Sequence, residues 1–102
     1  MIKTIEIIIK NGLLESINFL LIYDNNICYL NNKKYSIDNS FKENLLRIIR
    51  TWKNEYGSIN GIDIEEFTIT ITTNKEEKIH GKGVFPDNYN ELINLIGGLY
   101  DR

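Results

Sequence analysis

Alanine and glutamine are missing from this chain, and among its 102 residues there is one cysteine, one histidine, one proline and one tryptophan. Each scarcity excludes something. Cys28 alone can form neither a disulfide within the chain nor a cysteine-based zinc site, and His80 has no second imidazole with which to hold a metal, so no metal and no cofactor are expected. No apolar run approaches the roughly 18 residues of a membrane-spanning helix. The opening Met1-Ile2-Lys3-Thr4-Ile5-Glu6 alternates apolar and polar residues as a strand does, unlike a secretion signal. One cysteine without an export signal points to a reducing cytoplasm. The formal net charge of -2 lacks the basic field that nucleic-acid binding needs, so neither nucleic acid nor membrane is an expected partner.

What is present is ordinary for a globular chain. Apolar residues make up 42% and charged residues 25%, too apolar for disorder, and the length suits one core, so residues 1–102 are expected to form a single domain. Isoleucine, asparagine and lysine are abundant. Their codons are AT-rich, which fits a bacterial or phage genome and warns against reading every asparagine as functional.

The pattern of apolar residues predicts an α+β fold in the order β-β-β-β-α-β-β-α. Ile5, Ile7 and Ile9 alternate with polar neighbours, and Ile17, Phe19, Leu21 and Tyr23 repeat the pattern. A three-residue loop, Lys10-Asn11-Gly12, sets odd positions opposite odd ones and puts both sets on one face, with Gly12 at a positive φ. Asp24-Asn25-Asn26 turns into a strand from Ile27 to Leu30, and Asn31-Asn32 turns into another from Lys34 to Ile37. Ser40 with Glu43 forms a capping-box pair for a helix whose face carries Phe41, Leu45, Ile48, Ile49, Trp52 and Tyr56, ending at Gly57. A loop follows from Ser58 to Gly61. Phe67, Ile69 and Ile71 alternate with Thr68, Thr70 and Thr72, and after Asn74 to Glu77 a last strand runs from Lys78 to Phe85. Pro86 suits the first turn of a second helix carrying Tyr89, Leu92, Ile93, Ile96 and Tyr100, weakened by Gly97-Gly98. Because hairpins dominate, a mostly antiparallel sheet of five or six strands is expected, with two amphipathic helices packed mainly on one face.

Candidate sites are few. Gly81-Lys82-Gly83 before a helix has the look of a phosphate cradle, but the helix opens without the Lys-Ser/Thr pair, Pro86 stands where a dinucleotide loop has glycine, and Asp87 would repel an anion. The two glycines are better read as a smooth seat on the core face beside Ile79 and Phe85. Strand parity puts His80 and Lys82 on the outer face with the row Thr68, Thr70 and Thr72, a surface suited to binding; His80 lacks a partner nucleophile, so no catalytic residue is assigned. Asp63, Glu65 and Glu66 form an acidic knot that breaks the alternation, which a bulge near Glu65-Glu66 would restore. Arg47, Arg50 and Lys53 form a basic stripe on the first helix, where Glu43 can pair with Arg47 for about 0.2–0.5 kcal/mol. Leu95 projects from the polar side of the second helix, and Ile2, Ile8, Leu20 and Ile22 have the parity of the face opposite the core. Two helices cover one face of a sheet, so a dimer mate, a partner or the first helix is needed over the second.

Small size, acidic balance, absent catalytic clusters and leftover apolar surface together predict a non-catalytic protein-binding module, of the inhibitor or immunity-antagonist kind. Two other classes fit the same residues: a small-molecule or nucleotide-binding domain using His80, Lys82 and the threonine row, and a self-associating structural domain or homodimer.

Overall fold

Alternating isoleucines put one side chain in two against the core, and they form β1 (Thr4–Asn11), in which Ile5, Ile7 and Ile9 are buried. The computed structural model describes residues 1–11 and 16–101. β1 is followed by β2 (Ile17–Ile22), β3 (Ile27–Leu30), β4 (Lys33–Ser36), α1 (Asn39–Ile49), β5 (Glu55–Ser58), β6 (Glu65–Thr72), β7 (Glu76–Lys82) and α2 (Tyr89–Gly97). The strands form one mixed sheet in the order β4-β3-β2-β1-β6-β7-β5. All neighbours are antiparallel except β5, which runs parallel to β7.

The fold class is α+β as expected, but the sheet has seven strands instead of five or six, and the extra one, β5, comes from the stretch assigned to the end of the first helix and its loop. α1 stops at Ile49, and the Trp52 amide donates to the Ile49 carbonyl in a tight turn. Trp52 and Tyr56, four apart, still point the same way, because both rings pack on Phe67, at centroid distances of 5.7 and 6.2 Å. Helical spacing was imitated by a turn and a short strand that serve the same aromatic cluster. The N-cap is Asp38, whose carboxylate accepts from the Phe41 amide at 2.9 Å, and Ser40 lies inside the first turn.

The first hairpin keeps the expected parity but not the expected loop. Ile9 pairs with Ile17 and Ile5 with Leu21, so Lys10 and Asn11 belong to β1, held there by Glu66 and Glu65 of β6 on its other side. The conformation expected at Gly12 lies outside the described residues. Between β3 and β4, Asn31 and Asn32 both take positive φ, 50° and 71°, the pattern of a two-residue hairpin turn. No bulge interrupts Glu65-Glu66: the ladder runs unbroken, with Glu66 outward and Glu65 inward. β7 ends at Lys82 because Gly83 turns to a φ of 73°, so Phe85 is not part of the strand. α2 begins at Tyr89, three residues after Pro86, which receives a hydrogen bond from the Tyr89 amide at its carbonyl.

Both helices lie on one face. Phe41 of α1 meets Phe19 of β2 at 6.1 Å, and Tyr89 of α2 meets Phe67 of β6 at 5.2 Å. Between the layers lies one apolar cluster that includes Leu45, Ile48, Trp52, Leu92 and Ile96. Leu99 is buried where Tyr100 had been expected, since the chain tightens into a 3₁₀ turn at Gly98 and rotates Tyr100 outward to 57% exposure; Ile93 is only half-buried. Arg47 reaches across to Glu91 of α2 at 3.7 Å. No helix among the described residues is long and apolar enough to cross a membrane.

Candidate binding face

Among the described residues no helix lies over the opposite face of the sheet, and the ladder fixes which side chains it presents. Along one row Tyr29, Leu20, Glu6, Thr70 and Lys78 are neighbours across β3, β2, β1, β6 and β7. In the next row Ile8, Thr68 and His80 are neighbours, and Glu55 of β5 stands beside His80. Lys10, Glu66 and Lys82 follow. The face is thus divided: aliphatic and aromatic over β1 to β3, charged and hydroxylic over β6, β7 and β5.

His80 is the centre of the charged half. Its Nε2–H donates to Glu66 Oε2 at 2.7 Å, and its Nδ1–H lies 3.0 and 3.3 Å from the two oxygens of Glu55. The geometry suits an imidazolium bridging two carboxylates, one on each neighbouring strand. Its side chain is 29% exposed, that of Glu66 33% and that of Glu55 60%. The hydrogen bond to Glu66, then that to Glu55, raises the His80 pKa above its ordinary 6.5 despite partial desolvation. The same bonds lower both glutamates below 4.5. A group held charged by its partners in the fold stabilises it below its unfolded pKa and loses that contribution as pH rises through its folded pKa; the two glutamates do the reverse on the acid side. The bridge is thus complete between the carboxylate and imidazole ranges and fades as pH rises through the raised folded pKa of His80.

One expected result follows directly. In an NMR titration His80 titrates above 6.5, and Glu66→Gln lowers that value more than Glu55→Gln, because the Glu66 bond is shorter and less exposed. A His80 pKa at or below that of a free imidazole would dismiss the bridge.

Chemically the bridge acts as a strap. Both ring nitrogens face carboxylates, and in the charged form, with both donating, His80 offers no lone pair to a substrate proton. The nitrogens point to opposite sides, and no group of His, Cys, Asp or Glu among the described residues has metal-binding geometry. Mechanically it ties β5, a four-residue edge strand with an irregular register, through β7 to β6.

The residues expected to bind are only partly brought together. Thr68 lies opposite His80 and Lys82 opposite Glu66, Thr70 is paired with Lys78, and Thr72 lies further along the ladder opposite Glu76. Leu95 is on the other side of the molecule, half-buried in the groove between the helices beside Arg47 and Ile48. Ile2 leaves the outer set, because it packs against the core ahead of β1. Ile8, Leu20 and Ile22 stay outside, half-buried, joined by Ile27 and by Tyr29, which is 37% exposed. Glu55 and Glu6 were missed. Strand parity could have placed Glu6; Glu55 carries no local signal, since a parallel neighbour is far away in sequence.

Two hollows indent this face. One, of about 510 Å³, is lined by Glu6, Ile8, Asn18, Leu20, Tyr29 and Asn32. The other, of about 240 Å³, shares Glu6 and Ile8 and extends to Lys10, Glu66, Thr68 and Lys78. A third cleft of about 390 Å³ lies beside Trp52, Tyr56 and Phe85 at the start of α2. Its aromatic polar atoms are already engaged: Trp52 Nε1–H donates to Asn88 Oδ1 at 2.6 Å, and Tyr56 Oη accepts from the Lys53 amide at 2.9 Å. Comparison with protein-family models, with curated proteins and with solved structures finds no significant match, so the geometry of this face stands without a family behind it.

Proposed function

We propose that the chain is a non-catalytic protein-binding module, of the inhibitor or antagonist kind, and that it docks through the outer face of its sheet. The observation that carries this reading is the uncovered apolar half of that face, where Ile8, Leu20, Ile22, Ile27 and Tyr29 adjoin one another with no element of the described chain above them. Contiguous apolar surface of this kind marks an association site, whereas scattered exposed aliphatics do not.

The edges of the sheet favour the face over strand addition. β4, at one end, is four residues long and begins Lys33-Lys34, with the Lys33 ammonium 5.3 Å from the Tyr35 ring. β5, at the other end, is equally short and out of register between Glu55 and Ser58. Short, charged and irregular edges resist pairing with another strand. The His80 row supplies a polar rim, since its charges are satisfied by one another.

The reading is tested by immobilising the protein and capturing its partner from a lysate of the source cell. Leu20→Asp and Tyr29→Asp are expected to abolish capture, and Asn94→Asp, exposed on α2, to leave it intact. Equal capture by all three variants, or none by the unaltered protein, would sink the reading. Light scattering on the same samples gives the result expected for a self-associating domain if the mass rises with concentration.

A further inference from the structure

Glu6 stands in the middle of the outer face. β1 is the central strand of the seven, and Glu6 lies between Leu20 of β2 and Thr70 of β6, lining both hollows. Glu66 and Glu55 are bonded to His80, yet the Glu6 carboxylate has no hydrogen-bond or ion-pair partner among the described residues. The larger hollow beside it is lined by the aliphatic Ile8 and Leu20, the aromatic Tyr29 and the polar Asn18 and Asn32.

Resting on the docking reading above, we infer that this hollow accepts an arginine side chain from the partner protein, with Glu6 as its counter-ion. The fit is one of chemistry at each point. A guanidinium presents two parallel N–H donors that match one carboxylate, and its planar face stacks on an aromatic ring. Its aliphatic stem lies comfortably along apolar side chains while the charged head reaches a polar group. Glu6 supplies the carboxylate, Tyr29 the ring, Ile8 and Leu20 the bed for the stem, and the asparagine carbonyls further acceptors. A lysine would satisfy the charge but would leave the paired geometry unused. An acidic partner is disfavoured here, because the described lining of this hollow carries the Glu6 carboxylate and no cation, Lys10 and Lys78 belonging to the neighbouring hollow. Arginine is also among the side chains that concentrate binding energy at the centre of protein interfaces, where Glu6 lies.

The probe is a blocked Leu-Arg-Leu tripeptide, compared with Leu-citrulline-Leu, which keeps the shape but not the charge, and titrated into the isotope-labelled protein. The arginine peptide is expected to shift the amides of Glu6, Ile8, Leu20 and Tyr29 saturably, and the citrulline peptide to bind about tenfold more weakly or less, as befits a lost charged hydrogen bond. Glu6→Gln is expected to erase the shifts, and Glu43→Gln, exposed on α1 away from this face, to retain them. Equal response to both peptides, shifts that persist in Glu6→Gln, shifts spread over carboxylates of the helix layer such as Glu91, or no shifts at all would each overturn the proposal. Concentration-dependent shifts of the same amides without peptide would assign the face to a second copy of the chain and also overturn it. If the peptide fails while Leu20→Asp still abolishes partner capture, the arginine proposal alone falls; if Leu20→Asp captures as well as the unaltered protein, the docking reading falls with it.

Discussion

Phe67→Ala is expected to be the most damaging single substitution in the chain, destabilising it by about 3–5 kcal/mol and lowering the melting temperature by more than about 10 °C. Phe67 is wholly buried on β6, and four aromatic rings surround it: Trp52 at 5.7 Å, Tyr56 at 6.2 Å, Phe85 at 5.8 Å and Tyr89 at 5.2 Å. These rings come from the turn after α1, from β5, from the segment after β7 and from α2. Each pair contributes on the order of 0.5–1.5 kcal/mol beyond its buried area, so one deletion weakens four attachments together. Cavity formation adds to the loss, because rings held by other elements cannot all collapse inward. Domains of this size hold only about 5–15 kcal/mol in total, so the variant is close to unfolding at body temperature. Thermal melts followed by circular dichroism check this; a melting point within two or three degrees of the unaltered protein, small against the roughly 4–8 °C per kcal/mol of such domains, would refute the hub.

The second large effect falls on Gly81, where adding one methyl group is expected to cost about 1–3 kcal/mol or more. A Cβ at Gly81 would come within 2.4 Å of the Val84 carbonyl oxygen and 2.6 Å of Phe67 Cε1. Neither neighbour can yield: one is backbone in the turn that leads to α2, the other is the hub of the aromatic cluster. The cause is steric, since Gly81 does not occupy the left-handed region as Gly83 does. Gly97 is the matched control. It lies at the end of α2 with nothing within 4 Å of its added Cβ, so Gly97→Ala is expected to be neutral or to stabilise by up to about 1 kcal/mol through helix propensity. Chemical denaturation of both variants decides the matter. If Gly81→Ala unfolds at the same denaturant concentration as Gly97→Ala, the close approach is not a real constraint.

The sequence pattern gives the glycines at the end of β7 the role of a smooth seat on the core face, on which a helix could lie close. Gly81 is indeed a packing device, but what it seats is the edge of Phe67 and the carbonyl of its own following turn. That difference shows what the sequence can carry. Alternation along Ile5, Ile7, Ile9 and along Phe67, Ile69, Ile71 reports directly on burial, so the long strands and their faces were legible, including the outward parity of His80 and Lys82. Glu55-Tyr56-Gly57-Ser58 has no such alternation, and Trp52 with Tyr56 copies the spacing of a helix. A strand that pairs in parallel with a distant one is fixed by tertiary contacts, which no local window contains. For the same reason Glu55 looks in the sequence like a helix residue, whereas Glu66, on the antiparallel neighbour of β7, looks like part of an acidic knot facing water. The apolar outer face, by contrast, was visible in the parity of Ile8, Leu20 and Ile22, with Ile2 alone misplaced.

The central pairing of the sheet has a kinetic consequence. β1 joins β6 from Thr4 opposite Thr72 to Asn11 opposite Glu65, so the middle of the sheet unites the first strand with one far along the chain. β1 to β4 form neighbours by short turns, and β6 with β7 does the same, but the seam between these two groups must wait for a long loop to close. Glu6 and Ile8 lie on one side of that seam, Thr68, Thr70 and Glu66 on the other. The continuous outer face therefore comes into being only when the slowest contact of folding is made. Amide protons of β1 and β6 are the ones to exchange last, and a partner that grips across the seam holds the two halves of the chain closed as it binds.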